Sequence, residues 1–231
     1  MFAALNVCHD GVAHSAAMNM AIDEALLECA AVPSIRFYRW HSPALSFGYF
    51  GKFAHVASYA GERDLVRRLT GGGIVFHGDD LTYSIVIPAN DKAFSESSMS
   101  IYEKVHRALC DALEGNGKRA VVAGDGHPGG AADAIRTVFS AGGYNCFANP
   151  VRADVMVDGR KIAGAAQRRT RRGLLQQGSI QGIDLENSLS ERFARALSVN
   201  CSEREVDRRI LERGRELLQH KYGTDAWLRN R

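Results

Sequence analysis

Long apolar runs are missing from this 231-residue sequence. None approaches the roughly 20 consecutive apolar residues of a membrane-spanning helix. The N-terminal residues, MFAALNVCHDG, lack the basic segment and the long apolar segment of a secretory signal. From these absences we expect a cytoplasmic protein that does not act at a membrane.

Cysteines are few and widely spaced. The five are Cys8, Cys29, Cys110, Cys146 and Cys201. Their number is odd, no C-x-x-C pair occurs, and no set of cysteines and histidines has the spacing of metal ligands. We therefore expect reduced thiols and no bound metal, and composition leaves open which thiol is a nucleophile.

Composition is otherwise ordinary, with 45% hydrophobic and 24% charged residues, which disfavours a disordered, collagenous or coiled-coil chain. No linker rich in proline, glycine or serine divides the sequence, so we predict a single domain over residues 1–231. Charge is uneven: residues 150–231 hold 17 basic and 11 acidic residues, whereas residues 1–149 hold 12 and 15. This asymmetry favours an acidic partner without specifying nucleic acid.

Periodicity and turn signals predict an α+β fold with a mixed, largely antiparallel sheet, because hairpins outnumber βαβ units. Ser15 is predicted to cap a first helix. Asp158-Gly159 predicts a type I′ hairpin. C-terminal helices are expected from about residue 186 on. Three capping boxes predict helix starts, and they are Ser100/Glu103, Ser188/Glu191 and Ser202/Glu205. Nine strand-like segments are predicted, and they are 34–40, 44–50, 64–69, 74–77, 81–88, 119–123, 152–157 and 160–167, which form one hairpin, and 174–180.

The segment Arg67–His77 reads R-R-L-T-G-G-G-I-V-F-H. Three consecutive glycines weaken a strand, and they are tolerated where the backbone must approach something closely. Their N–H groups can then bind the oxygen of a carboxylate, thioester or phosphate, and the arginines add forked donors. The alternative is a hairpin or bulge with solvated arginines.

A second segment, Asp158–Gln167, reads D-G-R-K-I-A-G-A-A-Q. The turn places Lys161 just inside the returning strand. Gly164 and the two alanines after it leave that strand nearly bare, which permits a ligand to lie against it. Lys161 could then hold a carbonyl or phosphate oxygen, although a lone lysine is more often exposed on an edge strand.

Together, R-R-x-T-G-G-G-x-V-x-H and D-G-R-K-I-x-G-x-A-Q-R resemble the biotin/lipoate protein ligase (cofactor transferase) family, which contains octanoyltransferases and lipoate-protein ligases. Further segments in the same order strengthen the resemblance over about 18–180. These segments are 19–27, 36–40, 46–49, 81–85 and 174–180.

The resemblance implies a class II-synthetase-like catalytic domain. It also implies that Arg68, Thr70, Gly71, Gly72 and Gly73 line the acyl pocket and that Lys161 contacts the acyl carbonyl. His77 is the one histidine that we place near this pocket, as a residue more often structural than catalytic, and Gly164 opens the facing strand.

Cys146 decides between mechanisms. Cysteine-type octanoyltransferases resemble its context, N-C-F-A-N-P, with the cysteine as an acyl-thioester nucleophile. Exchange between thioesters is nearly isoenergetic and needs no ATP, and a nearby ammonium such as that of Lys161 would stabilise the thiolate. The alternative is a small buried residue, as most free cysteines are.

Two departures separate this chain from relatives. Leu174 stands where another octanoyltransferase branch has its cysteine, and Gln177 stands where many relatives have histidine. The sequence ends about where the catalytic domain of larger ligases ends, which favours the transferase. An ATP-dependent ligase with its accessory domain on another chain, and a binding protein without turnover, stay as alternatives.

By this resemblance no cofactor is tightly bound, the octanoyl or lipoyl group is the substrate, and ATP and Mg²⁺ are needed only by a ligase. The expected partners are an acyl carrier or lipoyl-carrier protein as donor and a lipoyl-domain protein as acceptor. Arg168–Arg172 is either a solvated turn or a dock for an acidic carrier. Nucleic acid is disfavoured because aromatic residues do not interleave with the basic ones. The G-x-G-x-x-G of Gly124–Gly129 is a weak dinucleotide signal because Pro128 interrupts it.

Overall fold

The computed structural model describes residues 1–115, 119–124, 151–183, 185 and 188–230. Cys146, the G-x-G-x-x-G motif after Gly124, and nearly all of the loop predicted for Gly124–Tyr144 lie outside these residues. The α-helices described are α1 (Ala16–Cys29), α2 (Ser98–Glu114), α3 (Leu189–Leu197), α4 (Arg208–Leu217) and α5 (Asp225–Leu228), and a π-helical turn, Leu218–Tyr222, follows α4. None of them is long and apolar enough to cross a bilayer.

Eight of the described strands form one mixed sheet in the order β11-β1-β2-β6-β10-β9-β8-β7. β1 runs parallel to both of its neighbours, and the other neighbouring pairs are antiparallel. Their bounds are β1 Leu5–His9, β2 Ser34–Tyr38, β6 Leu81–Pro88, β7 Ala120–Val122, β8 Val155–Val157, β9 Arg160–Arg169, β10 Gly173–Ile180 and β11 Cys201–Glu203. The predicted α+β class with a mixed sheet is confirmed.

A smaller sheet stands beside it, in the order β4-β3-β5. Its strands are β3 (Ala44–Phe47), β4 (Asp64–Arg67) and β5 (Ile74–His77). β3 is parallel to β4 and antiparallel to β5. The segment between β4 and β5 is the glycine loop, residues 68–73, so this sheet carries the first motif.

Helices cover both faces of the large sheet. Successive strand side chains point to opposite faces. Ile85 of β6 therefore packs in one core with Val105 of α2, while its neighbour Val86 packs in another with Met20 and Ile22 of α1. The apolar positions of the central strands are buried on both sides, which explains why they read as nearly continuous hydrophobic runs.

Two predictions from short sequence patterns are correct, and both concern contacts between residues that are close in sequence. Ser15 accepts a hydrogen bond from the Met18 N–H at the start of α1. Asp158 and Gly159 have φ values of 49° and 75°, as the predicted hairpin requires. These two predictions are confirmed.

Two capping boxes were wrong. Ser97, not Ser100, caps α2, and its hydroxyl accepts from the Ser100 N–H. Ser202 begins no helix because Cys201–Glu203 pairs with β1 as an edge strand, and α4 starts later behind the cap Asp207. Pairing with a strand distant in sequence overrode the local signal. At α3 the cap is Ser188 as predicted, but its side chain makes no capping bond.

Candidate functional site

A cavity of about 450 Å³ is lined by residues of both sheets. Most of its lining is apolar, and its polar groups include members of two clusters. We call Ser46, Arg68 and residues 71–73 the glycine wall. We call Asp154, Lys161 and residues 164–166 the lysine wall.

The glycine wall is held together by Arg68, whose side chain is buried. One guanidinium nitrogen donates to the carbonyl oxygens of both Gly71 and Gly73 at 2.9 Å, and another donates to Ser46 Oγ at 2.7 Å. Gly72 has a φ of +83°, a conformation that favours glycine. The arginine therefore fixes the glycine loop from within the protein.

Glycine is also needed where the chain passes close to this loop. A Cβ on Gly48 would collide with the carbonyl oxygen of Gly72. A Cβ on Gly72 would lie 3.2 Å from the Arg68 guanidinium and 3.3 Å from Ala166 Cβ, on the lysine wall. The two walls thus come into van der Waals reach of each other at Gly72.

A chain of hydrogen bonds continues from Arg68 into the sheet. Ser46 Oγ lies 2.7 Å from His77 Nε2, and His77 Nδ1 lies 2.8 Å from Asp80 Oδ2. Burial lowers the pKa of His77, so its ring is neutral near pH 7. Burial by itself raises the pKa of Asp80, but hydrogen bonds from His77 and Ser179 outweigh it and lower that pKa to about 2.

The ionisation of Asp80 fixes the direction of the bonds. Ionised Asp80 only accepts, so Nδ1 of His77 carries the proton and Nε2 accepts from the Ser46 hydroxyl. The order resembles that of a serine hydrolase triad. Here, however, the serine oxygen also accepts from Arg68, so the chain ends on the glycine loop and positions it.

The lysine wall is built on a buried ion pair. Lys161 Nζ lies 2.7 Å from Asp154 Oδ2, and their side chains are 5% and 0% exposed. The alternative of an exposed edge-strand lysine is therefore wrong. The Asp158-Gly159 turn brings β8 and β9 side by side, and Asp154 lies two residues before Met156, the strand partner of Lys161.

Gly164 explains how this pair fits against the strand. A Cβ at this position would lie 2.7 Å from Lys161 Cε, 2.8 Å from its Nζ and 3.2 Å from Asp154 Oδ1. We expected the bare strand to make room for a ligand. The space above Gly164 is in fact taken by the end of the lysine side chain.

Gln177 lies between the walls in a buried polar network. Its Nε2 donates to Asp23 Oδ2 at 2.7 Å, and its Oε1 accepts from the Thr70 hydroxyl at 2.8 Å. Asp23 also accepts from Arg36 at 2.9 Å and from the Tyr38 hydroxyl at 3.0 Å. The amide joins the glycine loop to α1 because it donates on one side and accepts on the other.

The comparison with known proteins agrees with this architecture. A family model, the lipoyl protein ligase A/B catalytic domain, matches residues 15–210. The chain belongs to this family. Among curated proteins it is similar to the octanoyltransferase LipM of Oceanobacillus iheyensis, at 38% identity over 174 residues, 71% of this chain and 59% of that protein. The chain thus spans less than two thirds of that relative's length.

A longer match joins the chain to the octanoyltransferase LipM of Symbiobacterium thermophilum, at 29% identity, with 90% of this chain and 92% of that protein covered. Two solved structures share the fold. Lipoate-protein ligase A bound with ATP has a TM-score of 0.73 at 22% identity, covering 99% and 98% of the two chains. A bipartite lipoate protein ligase from Thermoplasma acidophilum has a TM-score of 0.71 at 20% identity, covering 98% and 96%. The fold expected from the resemblance is confirmed.

Within this lipoyl protein ligase family fold, the structure brings most of the predicted site residues to one cavity. Those that line it are Arg68, Gly72, Gly73, His77, Lys161 and Gly164. Thr70 is fully buried and supports the loop through Gln177, and Gly71 stands beside the cavity rather than in its lining. Cys146 lies outside the described residues. Among those residues no group of three or more histidine, cysteine or acidic side chains could hold a metal ion.

The two neighbouring arginines of the motif have different surroundings, because successive side chains of an extended segment point to opposite sides. Arg67 is buried and is not part of the cavity lining. It donates to the carbonyl oxygens of Tyr49, Gly51, Trp227 and Leu228 at 2.6–3.0 Å, and so ties α5 to the loop after β3. The alternative of solvated arginines is wrong for both.

Sequence reasoning missed several residues of the site. Asp154 could have been found from the predicted hairpin, since it lies two residues before Met156, which pairs with Lys161. Ser46 and Asp80 gave no signal of their own, because a single polar residue does not reveal its partner.

Proposed function

We propose that this chain is an octanoyl/lipoyl transferase, which moves an acyl group from a carrier-protein thioester to a lysine of a lipoyl-domain protein through a thioester on Cys146. The observation that carries the proposal is an apolar cavity with one buried lysine–carboxylate pair, Lys161–Asp154, in its lining. The choice of an octanoyl group and of acyl transfer is supported by the relatives named octanoyltransferase LipM.

The cavity suits a medium-length acyl chain. Its volume of about 450 Å³ lies within the range of small-molecule sites, and its lining is mostly apolar. Burial of each methylene of an acyl chain is worth about 0.8 kcal/mol. The apolar lining would therefore bind the chain, while Lys161 would bind the carbonyl oxygen at its polar end.

The first half-reaction transfers the acyl group to the enzyme. The Cys146 thiolate attacks the carbonyl carbon of the donor thioester, the bond from that carbon to the carrier sulfur breaks, and the carrier thiolate leaves and takes a proton. The ammonium of Lys161 would stabilise the negative charge that develops on the carbonyl oxygen. One thioester is replaced by another, so no ATP is consumed.

In the second half-reaction the neutral amine of the acceptor lysine attacks the acyl-enzyme. An amide bond forms, the bond to Cys146 Sγ breaks, and the amine proton passes to the departing thiolate. The acceptor gains the acyl group and the enzyme returns to its starting state.

The described residues divide the remaining work. Gly72 and Gly73 would present backbone to the acyl group at the glycine wall, with Arg68 and His77 holding that wall, and Thr70 and Gly71 supporting it from behind. Gly164 leaves space for Lys161. Cys146 precedes Val151, which lines the cavity, by five residues, a stretch that spans at most about 18 Å.

The donor and acceptor are proposed from chemistry. The excess of basic residues in 150–231 favours acidic carrier and acceptor proteins. The Thermoplasma ligase is described together with its E2 lipoyl domain, which is the kind of acceptor proposed here. We propose a cytoplasmic enzyme with no tightly bound cofactor and no nucleic-acid or membrane partner.

An ATP-dependent lipoate-protein ligase is the second candidate. It is favoured by the shared fold of the ATP-bound ligase A. In that case the carboxylate of free lipoate or octanoate would attack the α-phosphorus of Mg-ATP, forming an acyl-adenylate and releasing pyrophosphate, and the acceptor lysine would then displace AMP.

Intact mass spectrometry tests the proposal. The protein is incubated with octanoyl-carrier protein without ATP, and separately with lipoate and Mg-ATP. We expect one octanoyl mass, released by hydroxylamine, in the first mixture only. Cys146→Ala should abolish the adduct and Cys146→Ser should abolish it or trap a stable ester.

The other cysteines provide the controls. Burial raises the pKa of Cys8 to about 11, so its thiol stays protonated near neutral pH. Cys29→Ser, at the end of α1, should acylate like the wild type. An adduct that persists in Cys146→Ala contradicts the nucleophile. Acyl transfer that requires ATP supports the ligase, and binding of octanoate without any transfer supports a binding protein.

A further inference from the structure

The carboxylate of Asp154 is the most heavily used acceptor on the lysine wall. It is fully buried. Its Oδ1 accepts from the Tyr102 hydroxyl at 2.7 Å. Its Oδ2 accepts from the Val151 N–H at 2.7 Å and lies 2.7 Å from Lys161 Nζ. One side chain therefore joins α2, β9 and the segment that enters β8.

Tyr102 completes this arrangement. Its hydroxyl donates to Asp154 and accepts from the Ala165 N–H at 3.0 Å, so it spans the carboxylate and the strand that carries Lys161. The ring packs edge-on against His106 at a centroid distance of 4.3 Å, and His106 Nδ1 donates to the Ala153 carbonyl at 2.6 Å. Helix α2 thus holds Asp154 both directly and through its chain neighbour.

The Lys161–Asp154 pair is buried and has further hydrogen-bond partners, unlike an ordinary surface ion pair. A buried lysine–carboxylate pair gives little net stability, since the loss of hydration offsets the attraction between the charges. It does restrict the lysine, whose side chain is otherwise among the most flexible. Gly164 keeps the space in which the restrained ammonium lies.

We propose that Asp154 and Tyr102 are positioning residues that set the place and orientation of the Lys161 ammonium for acyl transfer. The proposal rests on the proposed function of Lys161. Tyr102 fixes the carboxylate, the carboxylate fixes the ammonium, and the ammonium meets the acyl carbonyl. An error of about 1 Å in such a group costs roughly 10²-fold in rate.

The first test is the rate of octanoyl transfer by Asp154→Asn, which keeps the shape of the side chain and removes its charge. We expect kcat to fall about 10²-fold with KM changed less than about 3-fold. Tyr102→Phe should lower kcat about 10-fold, because the carboxylate keeps its other partners.

Matched controls separate positioning from a general loss of stability. Asp64→Asn removes the charge of a partly buried carboxylate that accepts from the Ala16 N–H at 2.7 Å and is not in the cavity lining. Tyr222→Phe removes a buried hydroxyl that donates to Glu24. Both should keep kcat within about 2-fold at a temperature where all variants are folded.

Coupling to Lys161 is the decisive readout. In a Lys161→Ala background, Asp154→Asn should change the residual rate less than about 3-fold, since its effect acts through the missing ammonium. A similar large loss in both backgrounds, or a folded Asp154→Asn single variant with a wild-type kcat, overturns the proposal.

Failure of the proposed function is visible separately, because the wild type then transfers no octanoyl group at all. In that event the ¹⁵N NMR signal of the Lys161 ammonium, assigned by its loss in Lys161→Ala, decides the inference. The signal should shift or broaden in Asp154→Asn and stay unchanged in Asp64→Asn. An unchanged signal in Asp154→Asn contradicts positioning.

Discussion

The glycine wall and the lysine wall each combine a cation with glycine, but they use the two in opposite ways. In the glycine wall the guanidinium of Arg68 is directed at the loop's own carbonyl oxygens, and the backbone conformation depends on it. In the lysine wall the ammonium of Lys161 is held by a carboxylate, and Gly164 leaves space for it.

The difference follows from the two side chains. A guanidinium has five N–H donors in a rigid fork, so it can bind several fixed carbonyl oxygens at once. An ammonium is a compact charge on a flexible stem, so it needs an external restraint before it can act at a defined point. In the glycine wall the cation thus fixes the backbone, whereas in the lysine wall the protein fixes the cation.

Lys161→Ala is expected to produce the largest effect. Loss of the ammonium should lower kcat about 10²–10³-fold, because one charged hydrogen bond to the transition state is removed. It also leaves the Asp154 carboxylate buried without its cation, so the free energy of unfolding should fall by about 3 kcal/mol. Transfer assays and urea unfolding measure the two losses.

Lys104→Ala is the control for this change, since Lys104 pairs with Glu96 on the surface of α2 and its side chain is 50% exposed. It should be close to wild type in both measurements. If folded Lys161→Ala transfers octanoyl groups at near the wild-type rate, the lysine wall has no role in the reaction.

The glycine wall is tested by Gly72→Val against Gly71→Ala. Gly72 has positive φ and its Cβ would press on Arg68 and Ala166, whereas a Cβ on Gly71 meets nothing within 4 Å. Gly72→Val should weaken binding of the acyl group by roughly 30- to 100-fold, about 2–3 kcal/mol. Gly71→Ala should change it little, and calorimetry with octanoate measures both.

Equal effects of the two substitutions would show that the loop responds to any side chain and has no special position at Gly72. Unchanged affinity in Gly72→Val would show that this loop is only a turn and does not contact the acyl group.

Acid is expected to lower the stability of the protein through His106, whose ring is bonded to the Ala153 carbonyl next to the lysine wall. Burial lowers its pKa from 6.5 to about 4. Between pH 6.5 and 4, His106 is protonated more readily in the unfolded chain than in the folded protein. The free energy of unfolding is therefore unaffected by His106 above pH 6.5 and falls as the pH is lowered below it. The loss should reach about 2 kcal/mol at pH 5.

Urea unfolding at pH 7 and pH 5 checks this value in the wild type and in His106→Gln. Other groups contribute to acid sensitivity in both proteins, so the expected result is a difference of about 2 kcal/mol between their pH dependences. Identical pH dependences would mean that His106 is readily protonated in the folded protein.

Gly164→Ala is expected to give the smallest effect. Its Cβ would lie 2.7 Å from Lys161 Cε, the far end of a flexible side chain, so the fold can adapt but the ammonium must move. We expect kcat to fall about 10-fold with little loss of stability. Gly61→Ala, where an added Cβ would meet nothing within 4 Å, is the control, and an unchanged kcat in Gly164→Ala would contradict a fixed place for the ammonium.

Prediction from sequence succeeded for elements that a few consecutive residues determine. The Asp158-Gly159 turn fixed the β8–β9 hairpin because both positions accept positive φ, and the glycine loop was recognised because three glycines in a row have no packing value in a strand. It failed at Ser202, where a local capping pattern competed with pairing to β1 and lost.

The partners of buried polar groups were decided by tertiary structure alone. Gln177 reaches Asp23 across 154 positions of the chain, and Asp154 meets Tyr102 across 52. A buried polar group must find a hydrogen-bond partner wherever the packed elements bring one, and periodicity in the sequence carries no information about that choice.

The sequence by itself determined the mixed-sheet fold class, the hairpin, the glycine loop and the family, because these depend on turn chemistry, alternation and ordered motifs. Only the tertiary structure decided that Arg68 holds the loop, that Arg67 binds carbonyl oxygens of other segments, and that Asp154 pairs with Lys161. The physical reason is that the role of a charge inside a protein depends on its burial and on its partners, and both are set when distant segments pack together.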